Sequence, residues 1–301
     1  MSVVNDNDSG RDSEYYFDRT NIFSLEGKYE EAIVYYNKAI ELDPNYTDAY
    51  NGRGKAKNDL GKYEDSIKDY DKAIELNPNN IDAYNNRGSV KNVLGKYEDS
   101  IKDFNKVIEL DPNNSAAYNN RGSVKVDLGE YEEAIKDYDM AIELNPNYSA
   151  AYYNRGSVKA DLGEYEEAIK DYDMAIELDH NYTYAYNNRG LAKDYLGEYE
   201  EAIKDYDKAI ELDSDYSDAY NNRGIVKNVL GKYEEAIKDY DKAIELNPNN
   251  GAFYNNRGVS KENLEEYNEA LKDYKKALEL APNYDIAREN IKEIQDKYGL
   301  K

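Results

Sequence analysis

The sequence predicts an all-α fold: a solenoid of about eight helix-turn-helix repeats over residues 15–284, closed by one further helix over 285–301. Three observations predict it. Shifted against itself by 34 residues, the chain matches along nearly its whole length. Its prolines and most of its glycines keep fixed registers within that period. Between those marks apolar residues recur at spacings of three and four, the period of an amphipathic helix.

The first 14 residues, MSVVNDNDSGRDSE, are polar and expected to be disordered. They contain no apolar run of the kind a secretory signal needs. The segment NDNDSG has the look of a calcium loop. With Gly10 as its sixth residue, however, the twelfth is Tyr16, where a bidentate Glu is required.

The repeats then follow in register. Residues 115–148 and 149–182 differ only at Asn119/Tyr153, Val126/Ala160, Asn145/Asp179 and Pro146/His180. Each repeat opens with a first helix around the motif AYNNRG. Its Gly (Gly54, Gly88, Gly122, Gly156, Gly190, Gly224, Gly258) lies mid-helix, where it costs about 1 kcal/mol relative to Ala. A cost repeated at every such position implies that another helix approaches closely there. A second Gly, in LG(K/E)Y, follows that helix; a left-handed cap costs little only for Gly.

The second helix carries the motif EEAIKDYDKAIEL. Ala236, Ile237, Tyr240, Ala243, Ile244 and Leu246 form its apolar stripe, with Glu234, Glu235, Asp239, Asp241 and Glu245 on the other face. The carboxylates are expected to be solvated and paired with Lys four residues away. Pro follows AIEL and stops the helix because it has no N–H to continue the ladder. All six prolines hold this position. One such hairpin cannot bury its stripe alone; stacked neighbours can. The last segment, DIARENIKEIQDKYGLK, places Ile291, Ile294 and Tyr298 on one stripe and should cap the final hairpin.

With these residues in hand the chain resembles the tetratricopeptide repeat family. That signature runs Trp-x2-Leu-Gly-x2-Tyr, then Ala-x3-Phe, then Pro. Here the matching run is Tyr118-x2-Arg121-Gly122-x2-Lys125, then Ala134-x3-Tyr138, then Pro146. Length, Gly, Ala and Pro agree, and Tyr keeps the aromatic plugs. Arg and Lys depart from Leu and Tyr. The resemblance implies a right-handed superhelix with first helices on its concave face and second helices on its convex face. It also implies that the function is protein–protein interaction.

The departure has an internal explanation. Arg53, Arg87, Arg121, Arg155, Arg189, Arg223 and Arg257 are each followed sixteen residues later by Asp: Asp69, Asp103, Asp137, Asp171, Asp205, Asp239 and Asp273. The spacing predicts a buried pair between the two helices of each hairpin. The first repeat has Arg19 but Tyr35 in place of the Asp.

A partner's place is suggested by the residue before each Arg: Asn86, Asn120, Asn154, Asn188, Asn222 and Asn256. These asparagines lie two residues from the core aromatic and should point toward the groove. A carboxamide donates and accepts, so it can hold a peptide unit's C=O and N–H together without reading sequence. The arrangement is similar to the ladder lining the tetratricopeptide superhelix of O-linked N-acetylglucosamine transferase. The carboxylate clamp of chaperone-tail binders does not fit, because Ala116, Asn119, Asn120 and Ser123 stand where it needs Lys or Arg.

Composition bounds the rest. A net charge of −24 argues against nucleic acid and favours basic partners. The chain has no Cys and one His, which removes thiolate chemistry and nearly removes His-based catalysis and metal binding. His180 holds a Pro position and reads as a turn residue. No run of about 18 apolar residues exists, so no membrane span is expected, and a cytoplasmic location follows. The sequence therefore points to a non-enzymatic scaffold, without cofactor or metal, binding an extended peptide or protein segment. The alternative is a self-associating homo-oligomeric platform that uses the imperfect first repeat as an edge.

Overall fold

The computed structural model describes residues 11–299, and every element in them is an α-helix. The chain divides into two compact units, with the boundary between Asn147 and Tyr148. The first unit holds α1 (Ser13–Leu25), α2 (Tyr29–Leu42), α3 (Thr47–Asp59), α4 (Tyr63–Leu76), α5 (Ile81–Val93), α6 (Tyr97–Leu110), α7 (Ser115–Asp127) and α8 (Tyr131–Leu144). The second holds α9 (Ser149–Asp161), α10 (Tyr165–Leu178), α11 (Thr183–Tyr195), α12 (Tyr199–Leu212), α13 (Ser217–Val229), α14 (Tyr233–Leu246), α15 (Gly251–Asn263), α16 (Tyr267–Leu280) and α17 (Asp285–Tyr298). Each unit is a stack of four helical hairpins, and the second ends in the expected capping helix.

Order begins earlier than expected at the N-terminal end. Asp12 caps α1 by accepting a hydrogen bond from the Tyr15 N–H at 3.0 Å, so Ser13 and Glu14 are already helical. Residues 1–10 of the segment expected to be disordered lie outside the described residues.

Within a hairpin the turn is set by one glycine. Gly61 adopts φ +70°. The Lys62 N–H then returns to the Lys57 carbonyl at 2.8 Å and closes the last turn of α3. In the eighth hairpin Glu265 holds this place at φ +65°, a conformation that costs an L-residue about 1–2 kcal/mol. Glu265→Gly should therefore stabilise the protein by about 1 kcal/mol, less the extra entropy glycine gives the unfolded chain. A rise in the urea midpoint without a change in slope checks this.

The core is a repeated interlock of glycine and aromatic ring. A Cβ on Gly54, Gly122, Gly190, Gly224 or Gly258 would lie 2.6–2.9 Å from the ring of Tyr70, Tyr138, Tyr206, Tyr240 or Tyr274 respectively. The mid-helix glycines thus seat the second-helix aromatics, as the sequence implied. The first repeat solves the problem differently. Buried Thr20 stands at the glycine position, and the Tyr36 side chain instead covers Gly52 of the next helix, where a Cβ would meet its hydroxyl at 2.5 Å and its ring at 2.6 Å. This is why Gly52 interrupts the asparagine register.

Burial pushes the core phenols up: Tyr138 and Tyr172 to about 12, and Tyr70, Tyr206, Tyr240 and Tyr274 further. A phenol raised in the folded state contributes stability that is complete below its ordinary value of 10 and is lost as pH climbs through its folded value. Unfolding should begin above pH 10 and be steep toward pH 12. Phenolate absorbance should show exposed tyrosines ionising first and buried ones only as helicity collapses.

At the other end α17 packs on α16. Ile294 is fully buried, Ile291 and Tyr298 join the same cluster, and the Tyr267 and Tyr298 rings stack at 3.7 Å.

Candidate functional site

Within each unit, a hairpin stacks on the next through the first helix of the latter. Close approaches also link successive first helices: α3 with α5 and α5 with α7 in one unit, α9 with α11, α11 with α13 and α13 with α15 in the other. First helices therefore form the tighter layer of each unit, which is the inner side of a curved stack.

Half-buried arginines hold that layer in place. Arg223 donates from Nε and Nη2 to the two Asp239 oxygens at 3.0 and 2.5 Å, a bidentate fork. The same fork joins the other six predicted pairs. Periodicity alone had set Asp239 on the polar face; the structure leaves it 4 % exposed because Arg and Lys neutralise it. Two further partners were not foreseen. Lys227, one turn after Arg223, reaches the same carboxylate at 2.8 Å. Arg223 Nη1 also reaches back to Asp207 of the preceding hairpin at 2.5 Å. Arg53, Arg87, Arg121, Arg189 and Arg257 make the equivalent reach to Asn37, Asp71, Asn105, Asp173 and Asp241. Each of these arginines thus ties two repeats together. Burial opposes the Arg223 charge, but the hydrogen bonds and charge of Asp239 outweigh it and hold its pKa above the ordinary value.

Along the tighter layer run the asparagines. In the first unit Asn86 donates to Asn51 at 3.2 Å and Asn120 to Asn85 at 3.3 Å. In the second, Asn188 donates to the Tyr153 hydroxyl at 3.1 Å, Asn222 to Asn187 at 3.1 Å and Asn256 to Asn221 at 3.0 Å. Asn154 holds the same register in α9. All six are half-buried. The sequence reading had each asparagine facing the groove by itself; the structure links neighbours into a chain of amides. One N–H of each bonded amide is committed to the preceding hairpin. The Oδ1 atoms of Asn120, Asn188, Asn222 and Asn256 also accept from the residue before, at 3.3, 3.1, 3.3 and 3.5 Å, which leaves each carbonyl one lone pair.

The acceptors of this chain (Asn51, Asn85, Asn187, Asn221 and Tyr153) were missed, although they recur one residue before the donors. So was Asn290 of α17, which donates to Asn255 at 3.0 Å and extends the line into the capping helix. Its position 34 residues after Asn256 was the available signal.

The second helices present a different surface. Their exposed carboxylates pair with Lys three residues away, as in Asp65–Lys68 at 2.7 Å and Lys242–Glu245 at 2.8 Å. The expected spacing was four; a spacing of three also brings side chains together on a helix. His180 is exposed in its turn, with Nδ1 2.8 Å from the Ile176 carbonyl oxygen. Among the described residues no group of three His, Cys, Asp or Glu is placed to hold a metal, and no helix is long and apolar enough to cross a membrane.

Comparison with known proteins agrees with this architecture. Residues 81–114, 149–182, 183–216, 217–250 and 252–284 match the tetratricopeptide repeat family. Further repeat profiles of the same kind match 21–60, 54–91, 122–163 and 104–136. No curated protein is a significant match in sequence. Among solved structures, YrrB, described as a tetratricopeptide repeat protein with an unusual peptide-binding site, is 25 % identical with a TM-score of 0.53. That match covers 63 % of this chain and 97 % of YrrB. MamA is 31 % identical with a TM-score of 0.50, over 53 % of this chain and 93 % of MamA. A tetratricopeptide repeat protein from Parabacteroides merdae is 23 % identical with a TM-score of 0.63, over 83 % of this chain and 98 % of that one, a likeness of fold.

Proposed function

Because the chain belongs to the tetratricopeptide repeat family, we propose that it is a non-enzymatic scaffold holding an extended segment of a partner protein along its first helices. The linked asparagines carry this reading. They form a repeated line of amides, half-buried and oriented by their neighbours, with hydrogen-bonding capacity left over. First helices packed about 8–10 Å apart would offer one amide to every third residue or so of a strand that advances about 3.3 Å per residue. Such a line grips backbone and leaves sequence preference to other side chains. The net charge of −24 favours a basic partner. The similarity to YrrB, whose own description includes a peptide-binding site, supports the reading. The composition suits work in the cytoplasm.

Affinity capture from the native extract tests it. Asn120→Ala, Asn154→Ala, Asn188→Ala and Asn222→Ala would be combined, and the variant's helicity and melting matched to wild type. The reading expects the variant to lose partners that wild type retains. Retention of the same partners by both would refute it.

A second reading is self-association. Leu25 is 89 % and Ile22 57 % exposed on α1, an apolar edge of the kind the imperfect first repeat would supply. Light scattering separates the two. A concentration-dependent oligomer that survives the asparagine changes and is abolished by Leu25→Asp supports assembly.

A further inference from the structure

Three tyrosines set repeats five and six apart on the inner face of the array. Tyr153 stands where repeats two to four and six to eight carry Asn. Tyr184 replaces the Asp or Ala found in repeats two to five, seven and eight, and Tyr195 replaces Asp, Val or Asn. A cavity of about 290 Å3 opens at this place, within the second unit. Tyr165 and Tyr195 form one wall, stacked at 4.7 Å with 5° between their planes, and Tyr195 is 65 % exposed. Leu191 and Ala160 supply apolar surface, and Asn188 of the amide line stands at the edge.

Asp161 is the one charged residue that lines this cavity. No cation bridges it among the described residues, because Lys159 of the same helix is committed to Asp171 at 2.8 Å. The Tyr172 hydroxyl donates to Ser157 at 3.3 Å, which leaves its oxygen lone pairs able to accept. Aromatic faces, an aliphatic floor and an unpaired carboxylate together suit a long side chain that ends in a positive charge. The cavity at the same register between the first two hairpins differs where it matters. It carries its own cation, Lys55, and Gly52 instead of the asparagine.

We propose that the cavity between repeats five and six takes one cationic side chain, lysine or arginine, of a peptide lying along the first helices. The proposal rests on the groove reading and gives it a specificity site: Asn188 holds the backbone while Asp161 and the Tyr165–Tyr195 pair select the side chain.

The chain contains no Trp, so Tyr195→Trp places a single indole fluorophore in the cavity wall and keeps an aromatic ring there. Val93→Trp, at the same repeat position in the third hairpin, is the control. The probes are a short glycine–serine peptide with one central lysine, and the same peptide with arginine, norleucine or glutamate. The proposal expects saturable binding of the lysine and arginine peptides at the Tyr195→Trp reporter, about tenfold tighter than norleucine. Asp161→Asn should remove that advantage. Asp127→Asn, which changes the net charge equally one repeat earlier, should not. Lysine against arginine then identifies the preferred cation.

Equal binding of norleucine, equal weakening by Asp127→Asn, or no response with any peptide would each overturn the proposal. An equal response at Val93→Trp would overturn the specificity site and leave the groove reading standing. Partner capture independent of the asparagines would remove the groove reading whatever the reporter shows.

Discussion

Asp239→Ala should destabilise the protein by about 3–5 kcal/mol, the usual cost of removing one side of a buried ion pair. The Asp239 carboxylate receives two hydrogen bonds from Arg223 and one ion pair from Lys227, and all three side chains are less than a fifth exposed. Without it two cations are left facing each other in a poorly solvated gap. The chain itself shows how to do without the network. In the first repeat Phe23 and Tyr35 occupy the Lys and Asp positions and stack at 4.9 Å. Lys227→Phe combined with Asp239→Tyr should therefore recover most of the loss, leaving Arg223 its bond to Asp207. Urea denaturation of the single and double variants measures this. A double variant no more stable than Asp239→Ala would show that the carboxylate does something other than neutralise its neighbours.

Gly224→Ala should also destabilise, by about 1–3 kcal/mol, against the local preference of a helix for Ala. The new Cβ would sit 2.7 Å from Cε1 of Tyr240, a ring with 1 % exposure and little room to retreat. The sign is the informative part. If Gly224→Ala stabilises, the ring is not held against the helix and the repeated glycine needs another cause. Tyr240→Leu in the same background should relieve the clash and restore part of the stability. Circular dichroism melting of the three variants tests the interlock.

Much of this architecture was legible because the 34-residue period repeats each local signal. Proline and glycine registers set the hairpin ends, and the offset of sixteen between Arg and Asp gave the buried forks. The offset could not reveal that Arg223 also reaches Asp207. A residue sixteen positions earlier looks, in sequence, like one more acid on a polar helix face. Lys227 was hidden for a related reason. A lysine one turn from an arginine reads as a solvated charge until a second helix brings a carboxylate between them.

The candidate site was half legible. The six asparagines stood out by recurrence, but hydrogen bonds between hairpins depend on how helices stack, and that is not a local property. Thus Asn51 and Asn85 were passed over as acceptors, and Tyr153 looked like a drifted asparagine. In the structure Tyr153 accepts from Asn188, which lines the cavity of repeats five and six. Gly52 looked like a simple gap in the line. The structure shows its reason in the preceding repeat, where the Tyr36 side chain lies against Gly52 and leaves no room for a Cβ.

The central claim is that partners lie along the first helices, and residue-specific photo-crosslinking tests it most directly. A photoreactive side chain would replace Ser123 or Ile225 on first helices α7 and α13, or Lys136 or Lys238 on second helices α8 and α14. The account predicts that the first pair crosslinks to captured partner and the second pair does not. Crosslinking from Lys136 and Lys238 alone would place the partner on the acidic outer surface and contradict it.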